Sequence, residues 1–252
     1  MKIITMGTSH GDHTKERFNS SILLESEKGN YLLDAGSPIT GNFAKMGIKP
    51  QSLKAIFISH MHGDHVGDLP VLLKALMKYP VAGQYTTLFL PEAGVDVALG
   101  GWLKALHLGW PSPLVGVKTI TKGSVYDDGF LVAEALPTNH IKALDGINPG
   151  SFSFALNIDN KRIVYTGDLN ADFKDFPEEL IVEKGCDILI CETQHYDLDA
   201  ALPRLAALPV KMMIFTHIAD RWHGDGEAML KEKVSVLPFK TYIAHDGDEF
   251  II

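Results

Sequence analysis

The chain has 252 residues, 46% hydrophobic and 9% aromatic, with a formal net charge of −8. That is enough apolar material for a sizeable core in one domain spanning 1–252, and the acidic balance excludes a broadly basic surface for nucleic acid. No apolar run reaches membrane-spanning length and the N-terminal residues turn polar too soon for a secretory segment, so a cytoplasmic protein without membrane association is expected.

Short β-rich runs at 2–6, 21–26 and 31–34 are separated by Gly, Asn and Lys turns. A short helix at 39–46 and a strand at 55–59 follow. Val66, Leu69, Leu72, Leu73, Leu76 and Met77 keep helical spacing, which predicts a helix over 66–78 with Pro70 in its first turn. Next come a strand at 87–90, a helix over 92–106, and strands at 115–120, 131–136, 152–158 and 162–166. The second half alternates helices at 177–184, 198–208 and 227–234 with strands at 187–191, 211–216 and 241–244, and 249–252 closes the pattern. Two mixed sheets with helices outside satisfy this α/β order. Cys186 and Cys191 lie five positions apart on one predicted strand, hence on opposite faces, and are expected as buried free thiols.

The densest chemical signal is Ser59-His60-Met61-His62-Gly63-Asp64-His65, between a strand and an amphipathic helix. A loop at a strand's end can converge side chains that a strand holds apart. His60 and His62 can face one ion, and Asp64 and His65 another. Imidazole and carboxylate donors suit Zn²⁺, and also Mn²⁺ or Fe²⁺. Thr138-Asn139-His140, Thr166-Gly167-Asp168 and Thr216-His217 each follow a predicted strand.

His-x-His-x-Asp-His after a strand, followed in order by these three pieces, resembles the metallo-β-lactamase superfamily. The resemblance implies a four-layer αββα sandwich with two divalent metal ions, most simply zinc. It assigns His60, His62 and His140 to one ion and Asp64, His65 and His217 to the other, with Asp168 bridging. Asp34, at the end of Leu32-Leu33-Asp34-Ala35-Gly36, is a candidate to hold a ligand histidine, and equally a turn aspartate. His245, before Asp246-Gly247-Asp248, competes with His217 as last ligand; His217 is preferred because it closes a long buried-type strand.

Such a site implies hydrolysis by a metal-bound hydroxide, with Asp64 and Asp168 as essential carboxylates. The superfamily's diiron redox branch carries a carboxylate where His62 stands, which disfavours that chemistry. Residues 6–24, Cys186–Cys191 with Glu192-Thr193, and His217-Ile218-Ala219-Asp220-Arg221-Trp222 resemble the ribonuclease Z-like branch, which cleaves phosphodiesters. The long basic Gly- and Pro-rich arm of its tRNA-processing members is missing. Residues 92–117 are instead apolar, with Trp102, Leu106 and Trp110 expected as a wall over the active site or in a homodimer contact. A small phosphodiester is therefore the expected substrate and tRNA is not. Lactone or amide hydrolysis, and a non-catalytic metal-binding role, are the alternatives. His195, 22 positions before His217, is the expected general acid, with Glu192 to hold its imidazolium. The branch usually has a longer insertion between this strand and its catalytic histidine. His10, His13 and His223 are the substitutes.

Overall fold

The computed structural model describes residues 1–143 and 149–252. Contacts gather it into two compact units of interleaved chain, Met1–Gly7 with Gly11–Ile120 and Asp246–Ile252, and Thr8–His10 with Thr121–His245.

The first unit holds strands β1 (Lys2–Gly7), β2 (Ser21–Ser26), β3 (Gly29–Leu33), β4 (Leu53–Phe57), β5 (Thr86–Leu90), β6 (Val115–Thr119) and β14 (Asp248–Ile251). They form one sheet in the order β14-β1-β2-β3-β4-β5-β6. Pairing is antiparallel from β14 to β3 and parallel from β3 to β6. Parallel neighbours need crossovers. These are α1 (Ile39–Met46), α2 (Gly63–Val66) with α3 (Leu69–Lys78), and α4 (Val95–Ala105). The buried residues of α3 are Leu69, Leu72, Leu73 and Leu76, the i, i+3, i+4, i+7 stripe that packs on Leu32, Ile56, Ile58 and Leu88.

The helix expected over 66–78 is broken at Gly67 and Asp68. Pro70 lacks an N–H and its ring conflicts with the carbonyl four residues back, so the helix restarts with Pro70 in its first turn. The freed Asp68 carboxylate accepts from Thr40 N at 2.7 Å and Thr40 Oγ1 at 2.6 Å. The α4 helix starts three residues later than expected, after Gly94 at φ 87°.

The second unit carries β7 (Gly123–Asp127), β8 (Leu131–Pro137), β9 (Phe152–Ile158), β10 (Lys161–Tyr165), β11 (Cys186–Cys191), β12 (Val210–Phe215) and β13 (Lys240–Ile243). Their order is β13-β12-β11-β10-β9-β8-β7, parallel from β13 to β10 and antiparallel beyond. The sequence did not suggest β7, an edge strand with no fully buried residue and so no apolar face to reveal it. Crossovers are α5 (Glu179–Val182), α6 (Leu198–Ala206) and α7 (Gly226–Val234). Asp197 caps α6, its Oδ1 accepting from Asp199 N at 3.0 Å.

Cys186 and Cys191 are buried and free. Both belong to one apolar cluster, which Cys186 joins from the first residue of β11 and Cys191 from its last. Burial pushes each thiol up to about 12. Neither should react with Ellman's reagent at pH 8 in the native protein, and two equivalents should react in denaturant. One fast equivalent without denaturant would contradict this.

The expected aromatic wall divides. Trp102 and Leu106 are exposed, at 58% and 44%. Trp110 packs on the apolar cluster of the first unit, its ring so close to Gly100 that a Cβ there would come within 2.5 Å of it. Among the described residues no helix is long and apolar enough to cross a membrane.

Candidate functional site

In each unit the candidate residues gather in loops at strand ends, most of them on parallel β/α crossovers and His140 after the antiparallel β8. In the first unit, β3 delivers Asp34 and β4 delivers Ser59 through His65. Asp34 is fully buried at φ 60°, a left-handed conformation costly for a non-glycine residue and characteristic of functional turns. Gly36 makes that turn fit, because a Cβ there would lie 2.3 Å from the Asp64 carbonyl. Ala35 N donates to His65 O at 2.7 Å, tying the turn to the metal-type loop.

Asp34 Oδ1 accepts from Ser59 N at 2.6 Å, and its Oδ2 lies 2.8 Å from both Ser59 Oγ and His65 Nδ1. With Nδ1 engaged, His65 presents Nε2, which lies 3.2 Å from Asp64 Oδ2. Ser59 Oγ also lies 3.0 Å from His60 Nδ1. His60 Nε2 is thereby turned toward His62 Nδ1, 3.0 Å away. Ser59 is thus the residue the sequence did not single out, since a serine at a strand's end carries no distinguishing signal. Asp34 takes the histidine-holding position rather than that of a plain turn aspartate.

In the second unit, His140 Nδ1 lies 3.3 Å from the Leu169 carbonyl, and its Nε2 lies 3.6 Å from Asp168 Oδ2. His217 Nε2 lies 3.4 Å from that same oxygen. His217 adopts φ 47° and is held by its neighbours' backbone bonds, Ile218 N to Thr8 O at 2.7 Å and Thr216 N to Cys191 O at 2.9 Å. The Asp168 main chain is fixed by Thr138 Oγ1 donating to its carbonyl at 3.1 Å.

His195 stands beside this group, with ring centroids 4.5 Å from His140 and 5.3 Å from His217. Its Nδ1 lies 2.9 Å from Glu192 Oε2 and 3.8 Å from Asp168 Oδ2. Glu192 is 1% exposed and also accepts from Leu169 N at 2.6 Å and from Gln194 N and His195 N, each at 2.9 Å. Tyr196, donating to the Glu192 carbonyl at 2.6 Å, is held protonated by burial, well above the usual tyrosine range.

The other histidines are placed differently. His245 Nε2 is paired with Glu227 Oε2 at 2.7 Å on the surface. In the second unit His223 Nε2 lies 2.8 Å from the Ile218 carbonyl, and His10 Nε2 lies 3.8 Å from Asp220. In the first unit His13 Nδ1 lies 3.2 Å from Asn19 Oδ1.

The donor set fits divalent ions. Nitrogen and oxygen ligands about 2.0–2.1 Å from a tetrahedral ion stand roughly 3.3 Å from one another. The four imidazole contacts to His62, Asp64 and Asp168 within the two units measure 3.0, 3.2, 3.4 and 3.6 Å. Three of the candidate ligand histidines, His60, His65 and His140, have one nitrogen beside a hydroxyl, carboxylate or carbonyl oxygen, as metal ligands characteristically do.

Known proteins match over nearly the whole chain. The ribonuclease Z of Bacillus subtilis is 26% identical, with 94% of this chain and 95% of that protein covered. The ribonuclease BN of Escherichia coli is 31% identical, with 99% of each covered. These alignments run over 301 and 311 positions against 252 residues here, so both relatives carry segments absent from this chain. Among solved structures, the metallo-β-lactamase fold protein YhfI from Bacillus subtilis superimposes with a TM-score of 0.74 at 19% identity, covering 99% of each chain. The short form of human tRNase Z does so at 0.73 and 21% identity, covering 100% of this chain and 99% of that one. The two seven-stranded mixed sheets are those of the metallo-β-lactamase fold. A family described as anti-Pycsar protein Apyc1 matches residues 1–233, and the chain belongs to it, as a ribonuclease Z-like hydrolase of the metallo-β-lactamase superfamily.

Proposed function

We propose that the protein is a dinuclear metal-dependent phosphodiesterase acting on a small phosphodiester. The carrying observation is that His140 and His217 both approach one oxygen of Asp168, at 3.6 and 3.4 Å. A carboxylate serving two imidazoles in this way suits a bridge between two ions. His60, His62 and His140 serve one ion, Asp64, His65 and His217 the other, and Asp168 both. Zinc matches the donor types best, with manganese or iron as substitutes. When bound, the ions supply an activated water and positive charge for the phosphoryl oxygen.

The protein's own groups do the rest. Asp34 and Ser59 engage Nδ1 of His65 and His60 and so leave Nε2 of each for an ion. His195, with Nδ1 on Glu192, presents Nε2 to protonate the departing alkoxide. A small substrate is supported by the net charge of −8, which opposes the counterion release that drives polyanion binding. The segments present in the tRNA-processing relatives and absent here support it as well.

The test is metal analysis with an activity panel. Protein purified without chelator and reconstituted with Zn²⁺, Mn²⁺ or Fe²⁺ should bind two ions per chain. It should hydrolyse bis(p-nitrophenyl) phosphate or a nucleoside 3′,5′-cyclic phosphate in preference to lactones and β-lactams. A stoichiometry fixed at one or below, or a lactone or β-lactam preference, overturns the reading. Two bound ions with no hydrolysis of any class would favour a metal-binding role without catalysis.

A further inference from the structure

Beside His195 the second unit has an open cavity of about 410 Å³ lined by Gln194, His195, Asp197, Asp199, Arg221 and Trp222. The carboxylates there are engaged. Asp197 caps α6, and Asp199 takes Lys233 Nζ at 2.6 Å. Two other polar groups are not, and Trp222, 7% exposed, adds an aromatic wall. The Gln194 side-chain amide makes no hydrogen bond among the described residues. Arg221 commits one Nη2 bond, to the Thr193 carbonyl at 3.3 Å, and lays its guanidinium over the Trp222 ring at 5.1 Å. Its remaining N–H groups have no acceptor among the described residues. A guanidinium and an amide therefore stand uncommitted around one cavity that shares a wall with the proposed proton donor.

We infer that this cavity receives the leaving group of the substrate, and that Arg221, with Gln194, selects leaving groups that carry an uncharged hydrogen-bond acceptor. This rests on the phosphodiesterase reading. A general acid must lie within hydrogen-bond reach of the oxygen it protonates, so a cavity walled by His195 is where the departing group is placed. The uncommitted groups are mainly donors, which calls for carbonyl oxygens or ring nitrogens in the ligand. Charge decides between a neutral and an anionic acceptor. Two carboxylates, Asp197 and Asp199, also line the cavity, so a second anion gains little here, whereas a flat neutral group can stack on the guanidinium and bond its edge.

The experiment is a leaving-group series on the metal-loaded protein, using aryl methyl phosphates. Alkyl- and halogen-substituted phenols define a Brønsted line. Esters of 3- and 4-carbamoylphenol should lie roughly tenfold above it in kcat/KM, about one uncompensated hydrogen bond's worth. Arg221→Met should lower the carbamoyl esters about tenfold more than the others, mainly through KM, and Gln194→Ala should act in the same direction with smaller effect. Arg221 is exposed, so its replacement is compatible with folding. A single line for all leaving groups in the parent protein, or a uniform drop in Arg221→Met, overturns the inference. Binding of free 4-hydroxybenzamide, read as quenching of Trp222 fluorescence against Trp222→Phe, needs no turnover. Quenching weakened by Arg221→Met in a protein that cleaves no phosphodiester supports the pocket and sinks only the phosphodiesterase reading. No quenching in the parent protein sinks the pocket.

Discussion

Asp168→Ala should lower phosphodiester turnover by about 10² to 10³-fold and reduce bound metal below two ions per chain. Asp168 is 2% exposed, and its Oδ2 lies within 3.6 Å of both His140 and His217. Removing the carboxylate leaves those imidazoles without their common anionic neighbour, and the proposed ions lose the ligand that sets their separation. Misplacing a nucleophile by an ångström is enough for a hundredfold loss. Asp168→Asn preserves shape and one carbonyl oxygen but removes the charge, so it should keep more metal than the alanine variant while staying severely impaired. The checks are elemental analysis and steady-state kinetics, with thermal unfolding of the metal-free protein as control. An alanine variant that holds two ions and turns over normally would exclude a bridging role.

His195→Ala should depend on the substrate. For an ester with a poor alkoxide leaving group the loss should be about 10² to 10⁴-fold, the usual contribution of a positioned general acid, and for a p-nitrophenyl ester only a few-fold. The nitrophenolate departs without a proton, so the difference isolates proton donation from metal binding. The Glu192 carboxylate holds His195 Nδ1 at 2.9 Å, leaving Nε2 for the leaving group. Glu192→Gln should reproduce part of the effect by weakening the charge that favours the imidazolium. Metal content must be equal in all proteins compared. Equal losses on both esters would make His195 a structural or ligand residue, and no loss on either would pass the role to another donor.

The candidate ligand types and their places at strand ends were legible along the chain, because metal chemistry restricts donors to a few residue types and strands end in loops at predictable positions. His60, His62, Asp64 and His65 lie within six residues, so their local grouping needed little more than a strand before them and a helix after. The leucine stripe of α3 was legible for a similar reason: a period of 3.6 is a local property. Tertiary structure decided what depends on pairing across the chain. Asp34 meets His65 31 positions away, and whether it would hold a histidine or merely turn the chain depended on the parallel register of β3 with β4. Ser59 gained its role from the same juxtaposition. His217 and not His245 lies beside Asp168, because β12, flanked by β13 and β11, delivers its end there, whereas His245 follows edge strand β13 and pairs with Glu227. The break at Gly67 and Asp68 was hidden because hydrophobic periodicity runs through it unchanged, while Pro70 and the Asp68 bonds to Thr40 stop the backbone. A residue's type and its neighbours along the chain set what chemistry it can offer. Sheet order and register set which distant groups it meets, and that depends on packing free energy summed over the whole core rather than on any local pattern.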